Sequence, residues 1–343
     1  SGCLMNKKNG PILGHNKKSF LKNPVTHIDI TDFDSRKIIE SMGKMSFTSR
    51  DTANASKIFN EMIEDKDCTI FLTLAGSTSA AGCMQIYSDL VKYNMVDAVV
   101  ATGASIIDMD FFEALGFRHY QGSQFQDDAE LRNNYIDRIY DTYIDEEELQ
   151  ACDKIICDIA NKLKPKSYTS REFIWELGKF LSKNSKKKGS LIETAYNNNV
   201  PIFCPAFTDS SAGFGLVMHQ EQNPKSHITI DTIREFRELT EIKIKSKQSG
   251  LFMVGGGVPK NFVQDTVVCA DVKDLDNIER RPFDGQSLFF KIKASNYPDV
   301  NLNNLNADTF DGDGRIKKPL QQLRSISLIA TGTDLEGFSP IDP

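Results

Sequence analysis

CTIFLTLAGSTSAAG, residues 68–82, is the part of the sequence from which the fold class follows. It begins with an apolar run rich in β-forming residues, 68–74, which ends in Gly and Ser, and a helical pattern follows over 79–94. A similar apolar run that ends in small residues recurs, and strands are predicted over 95–101, 200–207 and 250–255. Strands that are apolar throughout and alternate with helices indicate a parallel sheet covered on both faces. We therefore predict an α/β fold with a Rossmann-like, mainly parallel central sheet and helices on both faces.

Small residues follow each predicted strand and would gather at one edge of this sheet. The four loops read AGSTSAAG, TGAS, TDSSAG and GGGVPKN. In a parallel sheet, ligands bind at the carboxyl ends of the strands, where helix N-termini and backbone N–H groups favour phosphate groups. A tight turn would explain one such loop, but four loops at the same edge favour a nucleotide cofactor. The sequence contains neither GxGxxG nor GxxxxGK followed by Ser or Thr, so the standard Rossmann fingerprint and the P-loop do not apply.

The composition excludes several classes of function. The chain has 343 residues, and its 41 Lys+Arg against 47 Asp+Glu give a formal net charge of -6, which argues against broad binding to nucleic-acid phosphates. No apolar run approaches the roughly 18 residues that would span a bilayer, and the polar first residues lack the apolar stretch of a signal peptide. We therefore expect a cytoplasmic protein that binds neither nucleic acid nor membrane.

Metal binding is not expected. The chain has seven cysteines and five histidines but no CxxC pair and no HExxH motif, and the spacing of Cys152 and Cys157 is poor for zinc. Cys68, Cys204 and Cys269 lie inside apolar runs, where reduced, buried thiols are the expected state. The DGDG sequence near the C-terminus lacks the closing Glu of an EF-hand loop.

Three further segments carry structural predictions. The segment 138–166 is predicted to be a helix-rich insertion with a charged face. TSRE (169–172) is predicted to form a capping box at the start of the next helix. A third helix is predicted from Asp231, with three apolar residues on one face: Ile233, Phe236 and Leu239.

Longer stretches of the sequence carry a resemblance to a known family. They include HIDITDFDSRKIIESMGKMSFTSRD, LVKYNMVDAVVATGAS, DFFEALGFRHYQGS, VPIFCPAFTDSSAGFGLV and MVGGGVPKNFVQDTVV. Over about residues 25–271 the sequence resembles the deoxyhypusine synthase family, specifically its prokaryotic deoxyhypusine synthase-like branch. We therefore expect three parts: an N-terminal arm (1–30), an NAD-binding deoxyhypusine synthase-like domain (31–297) and a divergent C-terminal segment (298–343).

The resemblance implies NAD-dependent transfer of an aminobutyl group. In this family, NAD accepts a hydride from the carbon beside the secondary amine of spermidine or a related polyamine. The resulting imine moves to an enzyme lysine and then to an acceptor amine, and NADH reduces it. The acceptor is a lysine of a translation factor in deoxyhypusine synthases and a small amine, such as putrescine or agmatine, in homospermidine synthases. The resemblance also implies a homotetramer built from tight dimers.

The resemblance places cofactor and substrate residues on this sequence. Asp108 matches an acidic position that faces the cofactor ribose, where a carboxylate can accept two hydroxyl hydrogens. A helix N-cap is the structural alternative for Asp108. The implied substrate-binding residues are Asn261 and Asp265. The implied cofactor-binding residues are Gly76, Ser77, Thr102, Gly103, Ala104, Asp108, Asp209, Gly255 and Gly256.

Two substitutions point away from a translation-factor substrate. Asn261 stands where deoxyhypusine synthases carry a histidine proposed as the base, and an Asn cannot take up a proton at neutral pH. Phe214 occupies a position that is a polyamine-binding aspartate in the protein-modifying members. The implied substrates are therefore small polyamines.

The family's Schiff-base lysine is not found. That lysine lies in a Ser-Trp-Gly-Lys motif near the C-terminus, whereas the one tryptophan here, Trp175, lies in WELGK of an amphipathic helix. If the FDG sequence near the C-terminus is the matching anchor, Ser327 falls at the lysine position and Gln321 at an acidic substrate-binding one. Lys317 and Lys318 are nearby but lack the motif around them. We assign no catalytic residue from the sequence.

Three interpretations therefore stay open. The first is an active NAD-dependent transferase that makes a homospermidine-like polyamine, with an unconventional lysine or with direct transfer of the imine. The second is an inactive paralogue or binding subunit that keeps NAD. The third is that the C-terminal segment is not the native one.

Overall fold

The computed structural model describes residues 17–273 of the chain. In this range the strands, in chain order, are β1 Cys68–Leu74, β2 Ala98–Ala101, β3 His119–Gln121, β4 Ile136–Ile139, β5 Thr142–Asp145, β6 Ser167–Tyr168, β7 Ile202–Phe203, β8 Thr229–Ile230 and β9 Gln248–Val254. The helices are α1 Lys17–Phe20, α2 Arg36–Met42, α3 Thr48–Glu64, α4 Met84–Lys92, α5 Phe112–Ala114, α6 Asp128–Asn133, α7 Glu146–Lys162, α8 Ser170–Asn184, α9 Leu191–Asn198, α10 Ser211–Gln222, α11 Thr232–Lys245 and α12 Gly257–Lys273. Two π-helical segments, Ser79–Cys83 and Ala104–Phe111, run directly into α4 and α5.

The central sheet is parallel throughout, with the strand order β7-β2-β1-β9. Neighbouring residues of β1 contribute to different cores: Phe71 packs in a cluster with β2 and β9 on one face, whereas Leu72 belongs to the larger cluster on the other. Both faces of the sheet are therefore covered, as side-chain alternation along a strand requires. The predicted α/β class and all four predicted strands are confirmed, although β2 and β7 are shorter than their apolar runs.

The segment 136–145 forms a hairpin, so the prediction of a helix-rich insertion from residue 138 is wrong for its first part. β4 and β5 pair antiparallel, and β3 pairs with the other edge of β5. The hairpin turns at Tyr140, which has a positive φ of 55°. Ile, Thr and Tyr dominate this stretch, and such residues favour strands. The predicted helix begins only at Glu146, where Asp145 accepts hydrogen bonds from the N–H groups of Glu147 and Glu148.

The capping box is confirmed, and two other helix predictions need correction. Thr169 accepts from the Glu172 N–H, and the Glu172 carboxylate accepts from the Thr169 N–H. The helix predicted over 79–94 is broken at Gly82, which has a φ of 103° and at which a Cβ would lie 3.0 Å from the Thr26 carbonyl oxygen. Leu239 of α11 is buried as predicted, but Ile233 is 84% exposed because it lies in the first turn, away from that core.

Other expectations concern the ends of the chain and its cysteines. The part of the predicted arm that is described contains α1, and Pro24 pairs with Tyr120 of β3. Cys204 is buried and reduced as predicted, whereas Cys68 and Cys269 are only partly buried. No helix among residues 17–273 is long and apolar enough to cross a membrane. The segment 298–343, with the positions considered for the Schiff-base lysine, lies outside the described residues.

Candidate functional site

The loops that follow the four parallel strands contact one another at the carboxyl edge of the sheet. Between β1 and β9, the Ala75 N–H donates to the Val254 carbonyl at 2.9 Å, and a Cβ at Gly255 would lie 2.6 Å from the Ala75 carbonyl oxygen. Between β1 and β2, the Ser105 hydroxyl donates to the Gly76 carbonyl at 3.1 Å. These contacts make the first three loops one continuous surface.

The loop after β7 joins this surface through Gly103. A Cβ on Gly103 would lie 2.6 Å from Ser210 Oγ, so only glycine permits this approach of the two loops. Gly213 fulfils a related role inside the β7 loop, because its Cβ would lie 2.0 Å from the Thr208 carbonyl oxygen. The sequence signal of four small-residue loops at one edge therefore corresponds to real contacts between them.

The glycines also leave open space above the sheet edge. Gly76 has a φ of 78° and Gly255 a φ of 77°, values that L side chains rarely adopt. A Cβ on Gly76 or Gly256 would meet no heavy atom within 4 Å among the described residues. A ligand could therefore approach the backbone of these two loops closely, as the phosphates of a dinucleotide require.

A helix N-terminus points at this edge. The segment Ala104–Phe111 begins three residues after the last residue of β2, and the Thr102 hydroxyl accepts from the Ser105 N–H at 3.2 Å. N–H groups of the first turn of a helix have no carbonyl partner within the helix, and the helix dipole places positive potential there. Thr102, Gly103 and Ala104 therefore lie where an anionic group would be stabilised.

Asp108 lies inside this segment, so it is not the N-cap of its own helix. Its Oδ1 accepts from the N–H of Ser211, the first residue of α10, at 2.7 Å. Burial raises the pKa of Asp108 to about 6; the hydrogen bond from Ser211 opposes this, and the Asp153 and Asp209 charges add to it. At neutral pH the carboxylate is mostly ionised and can accept further hydrogen bonds beyond the one from Ser211.

The other predicted residues lie around this edge. Ser77 is half-buried, and Asp209 is exposed just before the N-cap of α10. Asn261 and Asp265 are exposed, one turn apart on α12, which starts directly after the loop of Gly255 and Gly256. Among residues 17–273, no group of three or more His, Cys, Asp or Glu side chains could hold a metal ion.

Sequence reasoning missed a buried polar cluster around Glu113. Its Oε1 is 2.7 Å from His119 Nδ1, its Oε2 is 2.7 Å from His27 Nε2, and the Lys187 ammonium also pairs with it. Burial alone would raise the pKa of Glu113, but the hydrogen bonds from His119, His27 and Lys187 outweigh it and lower the pKa well below its usual range. No local motif marks this cluster, because two of its members lie 86 and 74 residues away along the chain.

Comparison with known proteins gives one consistent result. The family model described as deoxyhypusine synthase matches residues 37–284. A deoxyhypusine synthase-like protein of Coxiella burnetii is 67% identical over 257 residues, which is 75% of this chain and 73% of the relative. One of Caulobacter vibrioides is 63% identical over 272 residues, 78% of this chain and 74% of the relative. A solved structure of a candidate deoxyhypusine synthase from Entamoeba histolytica has the same fold, with a TM-score of 0.50 and 20% identity over 68% of this chain and 80% of that one.

Proposed function

The chain belongs to the deoxyhypusine synthase family, and from this membership we propose that it transfers an aminobutyl group between small polyamines with NAD as cofactor. Membership supports a transferase of the deoxyhypusine synthase type, a polyamine substrate and an oligomeric assembly. The proposal adds the cofactor site, the substrate class and the residues of this chain that act on them.

The observation that carries the proposal is the contact between four small-residue loops at the carboxyl edge of the sheet. Open space over Gly76 and Gly256 and the helix N-terminus at Ala104 fit the phosphates of a dinucleotide. Asp108 fits the ribose, because it is mostly ionised at neutral pH and carries acceptor capacity. When bound, NAD would supply a hydride acceptor for the carbon beside the polyamine's secondary amine. Other residues proposed to hold it are Ser77, Thr102, Gly103, Asp209 and Gly255.

The acceptor in the proposed reaction is a small amine rather than a protein lysine. Asp265 provides a carboxylate for an ammonium group, and Asn261 lies one turn away with an amide that can donate and accept but cannot act as a base. Phe214, which replaces an aspartate of the protein-modifying members, is 66% exposed and offers no charge. Spermidine, putrescine and agmatine are the candidate substrates.

We also propose that the protein is a homotetramer built from tight dimers. Phe214 and Val217 lie one turn apart on α10 and are 66% and 58% exposed, which is a large apolar exposure for a single helix face. Light scattering at micromolar concentration should give the mass of a tetramer, and a monomeric mass would contradict this part of the proposal.

Product analysis tests the reaction. The protein is incubated with NAD and spermidine, with putrescine or agmatine as acceptor, and the amines are separated by chromatography. A new polyamine that needs NAD supports transfer. NAD binding without any amine product would instead favour an inactive paralogue, which the absent Ser-Trp-Gly-Lys motif would explain.

Borohydride trapping then tests the route of transfer. Borohydride reduces a lysine imine to a stable secondary amine, which adds a defined mass to the protein. We expect no stoichiometric adduct in the presence of spermidine and NAD. An adduct on a lysine of this chain would show that the covalent route of the family operates.

A further inference from the structure

A cavity separate from the strand-end loops lies between α4 and α9. It has a volume of about 420 Å³, and the segment Ala104–Phe111, α5 and the residues before α9 complete its walls. None of its lining residues belongs to the candidate cofactor or substrate set. An inference about this cavity therefore does not rest on the proposed function.

One carboxylate oxygen of Asp89 has no hydrogen-bond donor among the described residues. The residue lines the cavity and is only 7% exposed, and within the described part of the chain its Oδ2 atom has no hydrogen-bond partner. A buried carboxylate oxygen without a donor is costly, because it has lost water without gaining a partner. A bound ligand with a hydrogen-bond donor would therefore be stabilised beside this oxygen.

Two of the three lysines along the cavity pair with carboxylates. Lys187 pairs with Glu113, and Lys188 lies 2.9 Å from Glu193. The exposed Lys92 lies 5.1 Å from the centre of the Tyr93 ring, and its charge acts on Asp89 without a hydrogen bond among the described residues. An anionic ligand would be repelled by the charge of Asp89, whereas a cationic ligand would be attracted to it.

The other two carboxylates of the walls already have donors. Asp110 accepts from the N–H groups of Leu191 and Ile192 at 2.8 and 2.9 Å, and Glu113 binds two histidines and a lysine. Their charges add to the negative potential of the cavity but leave Asp89 as the residue that would bond the ligand. Met84 and Ala114 supply apolar surface beside it, which suits a short hydrocarbon chain.

We propose that this cavity binds a short primary alkylammonium ion, whose ammonium group donates to the carboxylate of Asp89. An ammonium group has three donors and a full positive charge, so it satisfies the orphan oxygen and neutralises the buried carboxylate at once. This position is separate from the strand-end loops, and the segment that carries Asp108 also contributes Asp110 to its walls.

Isothermal titration with n-butylammonium chloride tests the site on the full chain, with n-butanol and sodium butyrate as the neutral and anionic analogues. The wild type should bind n-butylammonium and neither analogue. Asp89→Asn should weaken this binding at least about tenfold, because it removes the charge. The matched control Asp158→Asn changes an exposed carboxylate of α7 that does not line the cavity, and should bind as the wild type does.

Two further measurements distinguish a binding role of Asp89 from a structural one. Asp89→Asn should unfold at the same temperature as the wild type or higher, because it removes a buried charge, whereas a structural role for Asp89 would lower that temperature. Asn197→Trp, at the exposed end of α9, should narrow the cavity and weaken n-butylammonium binding without changing the core.

The outcomes separate this site from the proposed transfer site. NAD affinity should be the same in Asp89→Asn and in the wild type, and Asp108→Ala should bind n-butylammonium normally. No binding of n-butylammonium by the wild type at millimolar concentration would mean that water satisfies Asp89, and would overturn the proposal. Equal binding by the wild type and Asp89→Asn, or loss of binding in Asp108→Ala, would place the amine elsewhere and would overturn it as well.

Discussion

Replacing Asp108 with Asn separates its structural role from its proposed role in cofactor binding. The Asp108 carboxylate accepts from the N–H of Ser211 through one oxygen. The amide of Asn retains one carbonyl oxygen that can accept this hydrogen bond, but it loses the charge and the second acceptor. The contact to α10 should therefore survive, while hydrogen bonds to ribose hydroxyls should be lost.

The expected loss of NAD affinity follows from the strength of such hydrogen bonds. Hydrogen bonds to a charged group contribute about 1.5–3 kcal/mol, so the dissociation constant for NAD should rise roughly 10- to 150-fold. Since burial raises the pKa of Asp108 to about 6, the wild type should also bind NAD less tightly as the pH falls below 6, where the carboxyl group becomes protonated. Asp108→Asn should lack this pH dependence.

Asp108→Asn should be at least as stable as the wild type, even though it should bind NAD less tightly. A folded-state pKa above the ordinary aspartate value of 3.8 means that ionised Asp108 disfavours the fold, and this penalty develops as the pH rises from about 4 to about 6. Above that range, Asp108→Asn should need the same urea concentration to unfold as the wild type, or a higher one. A binding loss caused by damage to the fold would instead come with lower stability.

Calorimetric titration with NAD at about pH 8 and about pH 5, on either side of the Asp108 pKa, is the decisive assay. Asp110→Asn is the matched control, because Asp110 lies two residues along the same helix but bonds to the start of α9. It should retain NAD affinity. Asp108 is not a cofactor-binding residue if Asp108→Asn binds NAD as tightly as the wild type, or if Asp110→Asn loses as much affinity as Asp108→Asn.

Three further predictions concern stability, measured as the free energy of unfolding in urea. Asp110→Asn should cost about 1–3 kcal/mol, because one of the first two N–H groups of α9 loses its acceptor. Burial raises the pKa of Asp110 to about 7, so its contribution to stability falls as the pH rises from about 4 to about 7, and the variant should lose this slope. Glu113→Gln should cost about 3–5 kcal/mol because it breaks a buried ionic cluster, whereas Lys188→Gln, whose side chain is 66% exposed, should cost less than about 1 kcal/mol. Thr169→Ala should cost about 1 kcal/mol through loss of the capping box, and an unchanged unfolding midpoint would contradict that role.

The central sheet was predictable because burial on both faces leaves a continuous apolar run. β1 matches its run at both ends, since every residue from Ile70 to Leu74 is buried between the two cores. β7 covers only two residues of the run 200–207, because the N–H of Cys204 donates to the Ser170 hydroxyl at 2.8 Å and to Glu235 at 2.9 Å instead of continuing the sheet. Ser170 and Glu235, which are distant in the sequence, therefore end β7 before the apolar run itself ends.

The hairpin of β4 and β5 shows a different limit. Its residues combine charges at helical spacing with β-branched and aromatic side chains, so local pattern is compatible with either structure. The pairing of β5 with β3, which lies more than twenty residues earlier, decides in favour of strands. Such pairing depends on tertiary contacts that override intrinsic propensity.

The segment Ala104–Phe111 shows what the sequence can predict about its acidic residues and what only the structure reveals. The family resemblance marked one acid in this segment, Asp108, and did not mark Asp110, which lies two residues further along and therefore on another face. The structure gives each acid a different helix: Asp108 holds the first N–H of α10, and Asp110 holds the first two of α9. Both carboxylates therefore lie at the positive ends of helix dipoles, which offset part of the cost of burying their charge. The same segment begins at the proposed phosphate loop, so its two acids connect that loop to the starts of α10 and α9.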